Sequence, residues 1–414
     1  MHHKIDKLEI LYDGYYYDVT EFSKRHPGGD IILYYTEKGE DATQAIQQFH
    51  NRFFRKVRSM MSNLKRRPAP DNESPLTPEE RNRHQNITND FNELFSWMQT
   101  QGLFAPSPLR NIWRIIECSL IWMTGVYFCG NSRFSLQFLG AVLFGLGAGR
   151  AGWVMHEAGH HSLTGNHKAD RLIQSIILVC VYHGHFLGVL DGVAGGWWRR
   201  HHNKHHAMPQ RIDYDLDLNT MPVVANAIEI VKDGRHGRSF FIQNQKWLFL
   251  ALDCCLATMA WRMYSSPRSA IKYRNYFDLV MMGIHWWIML SFAAPWTIIF
   301  GIWVAGTYLF GNFALSHSRL PVAKKQTHWV EYAFRHTANI KSSLWMDWWT
   351  GYLNFEIVHH LFPTLPPFRS YLVRDKVMAL AAKYDLPYNE VSYMEAWAQN
   401  FRNLDNVAKH FKQM

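Results

Sequence analysis

The sequence predicts a small α+β domain at the N-terminus, followed by an all-α integral membrane domain of about four transmembrane helices. Three observations predict it. The first 65 residues mix short aromatic and β-branched runs with turn residues. A proline-rich tract follows them. Beyond it, long apolar runs recur, and residues 279–318 contain no Asp, Glu, Lys or Arg. The mean hydropathy of −0.24 hides this, because it averages unlike regions.

Leu8 to Val19 is aromatic and β-branched with a turn at Asp13-Gly14, which reads as two short strands. Thr20 suits the N-cap of a short helix from Glu21. His26-Pro27-Gly28-Gly29 is a tight turn, a helical run starts at Asp30, and a second helix covers Asp41 to Phe49. Four prolines between residues 68 and 78 mark a linker. The resulting division is 1–65, a linker at 66–80, and 81–414. Thr77-Pro78-Glu79-Glu80 supplies an N-cap, a first-position proline and acidic residues for the first turn. The helix it opens runs to about Gln101 and is amphipathic through Phe91, Leu94, Phe95 and Met98.

Residues 279–318 fit two spans turning near Pro295. Residues 112–130 and 134–153 form a weaker pair, interrupted by Arg114, Glu117 and Arg150. Residues 172–190 and 247–263 read as interfacial or re-entrant helices. The turns near Asn131 and Pro295 carry almost no Lys or Arg, whereas the other loops are rich in both. The positive-inside tendency therefore puts both termini and the histidine-rich segments on the cytosolic side.

Composition excludes several classes. A chain of 414 residues with 48% hydrophobic residues is no disordered tail. Five cysteines in apolar runs, Cys118, Cys129, Cys180, Cys254 and Cys255, are too few and too scattered for a disulfide scaffold or a zinc site. Met1 to Leu8 lacks the apolar core of a signal peptide. The net charge of +10 first suggests nucleic acid, but the apolar runs assign it to membrane lipids instead.

Histidines carry the chemistry. His26 sits in the Pro-Gly-Gly turn and His50 follows Gly39-Glu40-Asp41-Ala42-Thr43. Two neutral imidazoles can be the axial ligands of one haem, which then transfers electrons and has no open site. Further on stand three clusters. His156, His160 and His161 form the first, and His202, His205 and His206 the second. Glu356, His359 and His360 form the third. At i, i+3 and i+4 on a helix the second and third clusters each share a face, as do His156 and His160, while His161 lies about 100° further round. Eight or more nitrogens exceed the needs of one zinc and suit two metal ions between helices. Attack on an unactivated C–H bond needs a strongly oxidising centre, which iron supplies.

The string His-Pro-Gly-Gly followed by Gly-Glu-Asp-Ala-Thr and Phe49-His50 resembles the cytochrome b5 domain over roughly residues 8–62. Beyond it, three motifs look like the front-end fatty acyl desaturases from about residue 80 to 395. They are His-x-x-x-His-His, then Trp197-Trp198 with His-Asn-x-His-His, and Gly351-Tyr-Leu-Asn-Phe-Glu with His-His-Leu-Phe-Pro. That family fuses cytochrome b5 to a membrane desaturase.

The resemblance implies heme b on His26 and His50. It also implies two non-haem iron ions on His156, His160, His161, His202, His205, His206, His359 and His360. His317, in Asn312-Phe-Ala-Leu-Ser-His, matches a further ligand position. Where the family's third box usually opens on Gln, this chain has Glu356, a carboxylate and itself a candidate ligand. Val358 replaces the usual acidic residue before the paired histidines.

The implied activity is insertion of a cis double bond on the carboxyl side of an existing one, Δ5 or Δ6, with reduction of O2 to water. The substrate would be an acyl-CoA or acyl-lipid. Electrons would come from an NADH–cytochrome b5 reductase, since the chain has no Gly-rich dinucleotide fingerprint. The expected location is the endoplasmic reticulum membrane. Alternatives are a sphingolipid long-chain-base desaturase, a fatty acyl hydroxylase, and a non-catalytic membrane haem protein. His183, His185, His201 and His285 read as packing or interfacial residues. Asp213, Asp215 and Asp217 read as a solvated loop near the second cluster, with contact to that cluster's histidines as the lesser alternative.

Overall fold

The computed structural model describes residues 7–37, 40–70, 74–176, 193–325 and 328–413. Its N-terminal part is a three-stranded antiparallel sheet of β1 (Glu9–Tyr12), β2 (Tyr15–Asp18) and β3 (Arg66–Pro68), in that order. The turn at Asp13-Gly14 has positive φ at both residues, 50° and 75°, as a tight hairpin of right-twisted strands requires. Short helical segments follow: α1 (Thr20–Ser23), a 3-10 turn at Gly29–Thr36, α2 (Thr43–Phe49) and α3 (Phe54–Met61).

Two local expectations are corrected. Residues 66–68 belong to the sheet and not to the linker. β2 offers a free edge, Arg66 and Arg67 stack over the Tyr15 and Tyr16 rings at 4.5 and 4.4 Å, and Arg67 pairs with Glu9 at 2.8 Å. Thr20 is the first helical residue and not the cap, because its hydroxyl accepts from the Leu8 N–H at 3.0 Å.

α4 (Pro78–Thr100) opens with the full capping box: the Thr77 side chain accepts from the Glu80 N–H and the Glu80 side chain from the Thr77 N–H. Its apolar face, with Ile87, Phe91 and Met98 buried, packs against the helix at Ser370–Lys383. Then come α5 (Pro108–Cys129) and α6 (Phe134–Gly159), α7 (His167–Ile176) and α8 (Gly195–Ala207). After the small α9 (Gly234–Gly237), a helical run of α10 (Phe240–Leu248), α11 (Cys254–Ala260) and α12 (Ser266–Lys272) is joined by two π turns. It covers the stretch 247–263 and lies against α14 (Pro295–His317), which follows α13 (Tyr276–Phe292). The remainder is α15 (Trp329–His336), α16 (Leu344–Trp349), α17 (Glu356–Leu361), α18 (Ser370–Lys383) and α19 (Tyr393–Gln413), with a parallel pair of β4 (Asn339–Ile340) and β5 (Glu390–Val391).

Among the described residues three helices are long and apolar enough to cross a membrane: α5, α6 and α14. The remaining apolar helix of the expected four, α13, is shorter, at 17 residues. The segment 172–190 begins on α7 and otherwise lies outside the described residues, as do Cys180, His183 and His185. The two hairpins α5–α6 and α13–α14 run side by side with their turns together, since the Ala294 N–H donates to the Cys129 carbonyl at 3.3 Å. Their other ends therefore also lie together, and those ends carry His156, His160 and His317.

The charges that interrupt α5 and α6 pair with each other. Arg114 donates to Glu157, and Arg150 meets Glu117 at 3.0 Å while its guanidinium lies 3.8 Å over the Trp348 ring. Pairing is what makes such groups tolerable away from water. α6 approaches its neighbours closely through glycine: a Cβ at Gly147 would meet the Trp122 backbone at 2.7 Å.

The two parts of the chain share one core. A single cluster runs from Ile10, Val19 and Tyr35 of the N-terminal domain through Phe91 to Val358, Phe362 and Leu386. Polar contacts seal the seam: Lys204–Asp30 and Arg211–Glu37 at 2.8 Å, and the Tyr35 hydroxyl donating to the Ala207 carbonyl at 3.2 Å.

Candidate metal centres

Three helix ends and one short helix converge on a buried polyhistidine site. α6 brings His156 and His160, α8 brings His202, His205 and His206, α17 brings His359 and His360, and the last residue of α14 is His317. Ligand nitrogens of His156, His160, His202, His206 and His359 all lie within 4.8 Å of one another. Those of His205, His317 and His360 form a second such group. Glu356 joins the second: its Oε1 is 3.2 Å from His317 Nε2 and 3.4 Å from His360 Nε2.

The donor chemistry fits metal ions. The Nε2 atoms of His156 and His202 face each other at 2.9 Å, those of His202 and His206 at 3.0 Å, and those of His206 and His359 at 3.1 Å. His160 Nε2 and His360 Nε2 are buried without a hydrogen-bond partner. Lone pairs turned toward one another away from water are costly unless a cation sits among them. Burial, then the neighbouring rings, pushes the imidazoles of His202, His206 and His360 well below their ordinary pKa, so they are neutral as ligands must be.

The opposite ring nitrogens show how some of these imidazoles are aimed. His205 Nδ1 donates to Asp215 at 2.9 Å and lies 3.3 Å from Asp217, and His317 Nδ1 donates to the His336 carbonyl at 3.0 Å. Burial pulls the His205 pKa down, but the two carboxylates outweigh it and push it up to about 9, so a metal on its Nε2 would displace a proton there. Asp215 is itself fixed, accepting from the backbone N–H of Gln210 at 2.7 Å and of Asp217 at 2.9 Å. Gln210 also donates to the His317 carbonyl at 2.8 Å, tying the two supports together.

Asp215 is thus a functional residue that sequence reasoning put in a solvated loop. It is 1% exposed, because the loop folds back onto α8 and desolvates its middle carboxylate. The available signal was the Asp-x-Asp-x-Asp alternation just after the second cluster. Asp215→Ala is expected to weaken metal retention by roughly 10–100-fold. Iron content after a chelator challenge checks this, with the haem absorbance unchanged.

His161 is the site residue the structure does not bring in. α6 ends at Gly159, and His161 takes the left-handed conformation, φ 60°, which turns its ring away from the cluster. Its neighbours are Phe53 and His167, at 6.3 and 6.4 Å between ring centroids. His201 points outward to Asp217 at 2.7 Å, and His285 is buried on α13. Val358 is fully buried in the shared core, where a carboxylate would be stripped of water.

In the N-terminal domain, His26 and His50 face each other with ring centroids 6.4 Å apart. Each Nδ1 donates to a backbone carbonyl, Gly29 at 3.1 Å and Ile46 at 2.9 Å, which leaves both Nε2 atoms free for one iron. Burial pushes His50 down to about 4 and His26 in the same direction. Gly28 is required at its place, because a Cβ there would come 2.8 Å from the His26 ring.

Beside the polyhistidine site a small apolar cavity of about 20 Å³ lies between α6, α8, α11 and α14, lined by Met155, Trp198, Trp261, Leu309 and Phe313. Trp198 stacks on His202 at 4.3 Å, so the cavity reaches the metal ligands. A second, smaller cavity of about 10 Å³ lies on Phe313 and reaches Glu356.

The fold and the sites define a class: a membrane-bound oxidoreductase with a fused electron-carrier domain, acting on an apolar chain. Residues 133–392 match the family described as Fatty acid desaturase, and residues 1–66 match the Cytochrome b5-like Heme/Steroid binding domain. An acyl-lipid (8-3)-desaturase of Rebecca salina is 38% identical over 413 residues, covering 97% of this chain and 92% of that protein. One from Thraustochytrium sp is 35% identical, covering 96% and 92%. An acyl-lipid (9-3)-desaturase of Physcomitrium patens is 25% identical, covering 99% and 77%. The chain belongs to the fatty acid desaturase family and is a desaturase of the front-end type.

Proposed function

We propose that this desaturase inserts a cis double bond into a polyunsaturated acyl chain carried on a lipid, at Δ5 first and Δ6 second. The observation that carries the position is the similarity over nearly the whole chain to two relatives named acyl-lipid (8-3)-desaturases. We take those numbers as an existing bond at carbon 8 and a new one three carbons nearer the carboxyl end. The more distant (9-3) relative, read the same way, supports Δ6 as the second reading.

In this reading His156, His160, His202, His206 and His359 hold one iron, and His205, His317, His360 and Glu356 hold the other. His26 and His50 hold heme b. The iron pair, when bound, supplies the O2-dependent oxidation of the C–H bonds. The protein's own residues do the rest. Asp215 and the His336 carbonyl hold their imidazoles in one tautomer. Trp198 and Phe313 pack the acyl chain and exclude water, and the depth of the acyl site sets which carbons reach the irons. Glu356 adds a negative charge that Gln would lack. An NADH-dependent flavoprotein reductase of the endoplasmic reticulum membrane supplies electrons, and the histidines face the cytosol.

Expression in yeast fed separate polyunsaturated fatty acids tests the reading, with products located by mass spectrometry. The expected product from a chain with a double bond at carbon 8 carries a new one at carbon 5. A carbon-6 product from a chain unsaturated at carbon 9 would shift the reading to Δ6. A hydroxylated product, or an altered sphingoid base with no new fatty acid, would overturn it.

A further inference from the structure

The two metal sites lie in one chain, and the seam between them is packed with rings. Phe53 begins where α2 has ended, immediately past His50 in space, with the two ring centroids 5.4 Å apart and the planes at 86°. The Phe53 ring also meets His161 at 6.3 Å and His167 at 5.6 Å. His161 is joined through one peptide bond to His160, which belongs to the five-histidine group. The segment that carries Phe53 is clamped to the membrane domain. Asn51 Nδ2 donates to Thr364 Oγ1 at 3.2 Å and Arg52 Nη2 to the Thr364 carbonyl at 3.0 Å. Thr364 follows the third histidine cluster, so the clamp ties the carrier domain to the loop beside the metal ligands.

From this continuous contact His50–Phe53–His161–His160 we infer that Phe53 and His161 form the electron path from the haem site to the iron site. The inference rests on the reading that these sites hold haem and iron. Electron tunnelling falls off steeply with gap width, and less steeply through packed atoms than across a void. Phe53 fills the gap between the two domains, and His161 covers the remaining step to a ligand-bearing residue. Each transfer oxidises the haem iron by one electron and reduces one non-haem iron by one. No bond forms or breaks, and no proton moves, at Phe53 or His161. The path also gives His161 a use: its left-handed backbone takes it out of the ligand set and turns it toward the carrier domain.

The test is anaerobic flash photoreduction of the full-length protein loaded with haem and iron, with haem reoxidation followed by its absorbance. Iron-free, haem-loaded protein gives the baseline. Phe53→Leu is expected to slow the iron-dependent phase several-fold with the haem spectrum and iron content unchanged, and Phe53→Tyr to restore it. His161→Phe is expected to keep both the rate and the iron content, and His161→Leu to lose rate alone. An unchanged rate in Phe53→Leu would overturn the path. Equal slowing by Leu and Tyr would reduce Phe53 to packing, and loss of iron in His161→Phe would make that residue a ligand; either result overturns the assignment. A wild-type protein without an iron-dependent phase would overturn both the coupling and the path. A wrong double-bond position with the phase intact would sink the substrate reading and leave the path standing.

Discussion

Replacing His205 with Ala is expected to reduce desaturation to the background of iron-free protein while leaving the haem absorbance spectrum intact. His205 belongs to the three-histidine group, and its Nδ1 is bonded to buried Asp215. Removing it takes a donor from a set of His205, His317, His360 and Glu356, and leaves Asp215 as a buried carboxylate without its cation-side partner. Loss of a supporting residue in a metal site costs roughly 10–100-fold, so loss of a ligand is expected to cost more. The haem site lies on other elements, α2 and the turn at His26, and keeps its two imidazoles. Iron stoichiometry, haem absorbance and product analysis on one sample check all three statements. Turnover near wild type with full iron content would remove His205 from the site.

His26→Ala is expected to do the converse. The variant loses the haem spectrum, because one axial imidazole is gone and His50 alone holds the iron weakly. The polyhistidine site keeps its iron, since His26 touches none of its residues. Turnover falls nonetheless, because the supply of electrons within the chain is cut. Product formation restored by added free cytochrome b5 would place the defect in supply and not in the oxidising site. Loss of non-haem iron from His26→Ala would show instead that the two domains fold as one unit around both metals.

Much of this was legible in the sequence, and the particular residues show why. The i, i+3, i+4 spacing of His202, His205 and His206 requires only that the segment be helical, and α8 is. Thr77, Pro78 and Glu80 act within one turn, so local chemistry was enough for the start of α4. α14 followed from the absence of charge after Pro295, whereas α13 before it is shorter than the candidate spans. What stayed hidden depends on contacts between distant segments or on a single backbone angle. His161 sits beside His160 in sequence and is separated from the cluster by one left-handed residue. Asp215 alternates with two other aspartates, and only the fold of its loop says which is buried. Glu117 and Arg150 each look like a defect in an apolar helix until the helices are placed side by side. β3 lies far in sequence from the edge it completes, and its two arginines and one proline fell inside the segment read as linker.

The core that begins at Ile10 and ends at Leu386 has a consequence for supply. A carrier on a free tether would shuttle, collecting charge at one place and delivering it at another, at a rate set by its effective concentration. A carrier seated in a shared core has no such excursion. It must be recharged in place, one electron at a time, by a donor that comes to it. The seated face is committed to delivery, so the collision that loads the haem has to use the part of the domain left open to solvent. Under the proposed function, turnover then scales with how often an external electron donor docks there, and not with how often the domain swings.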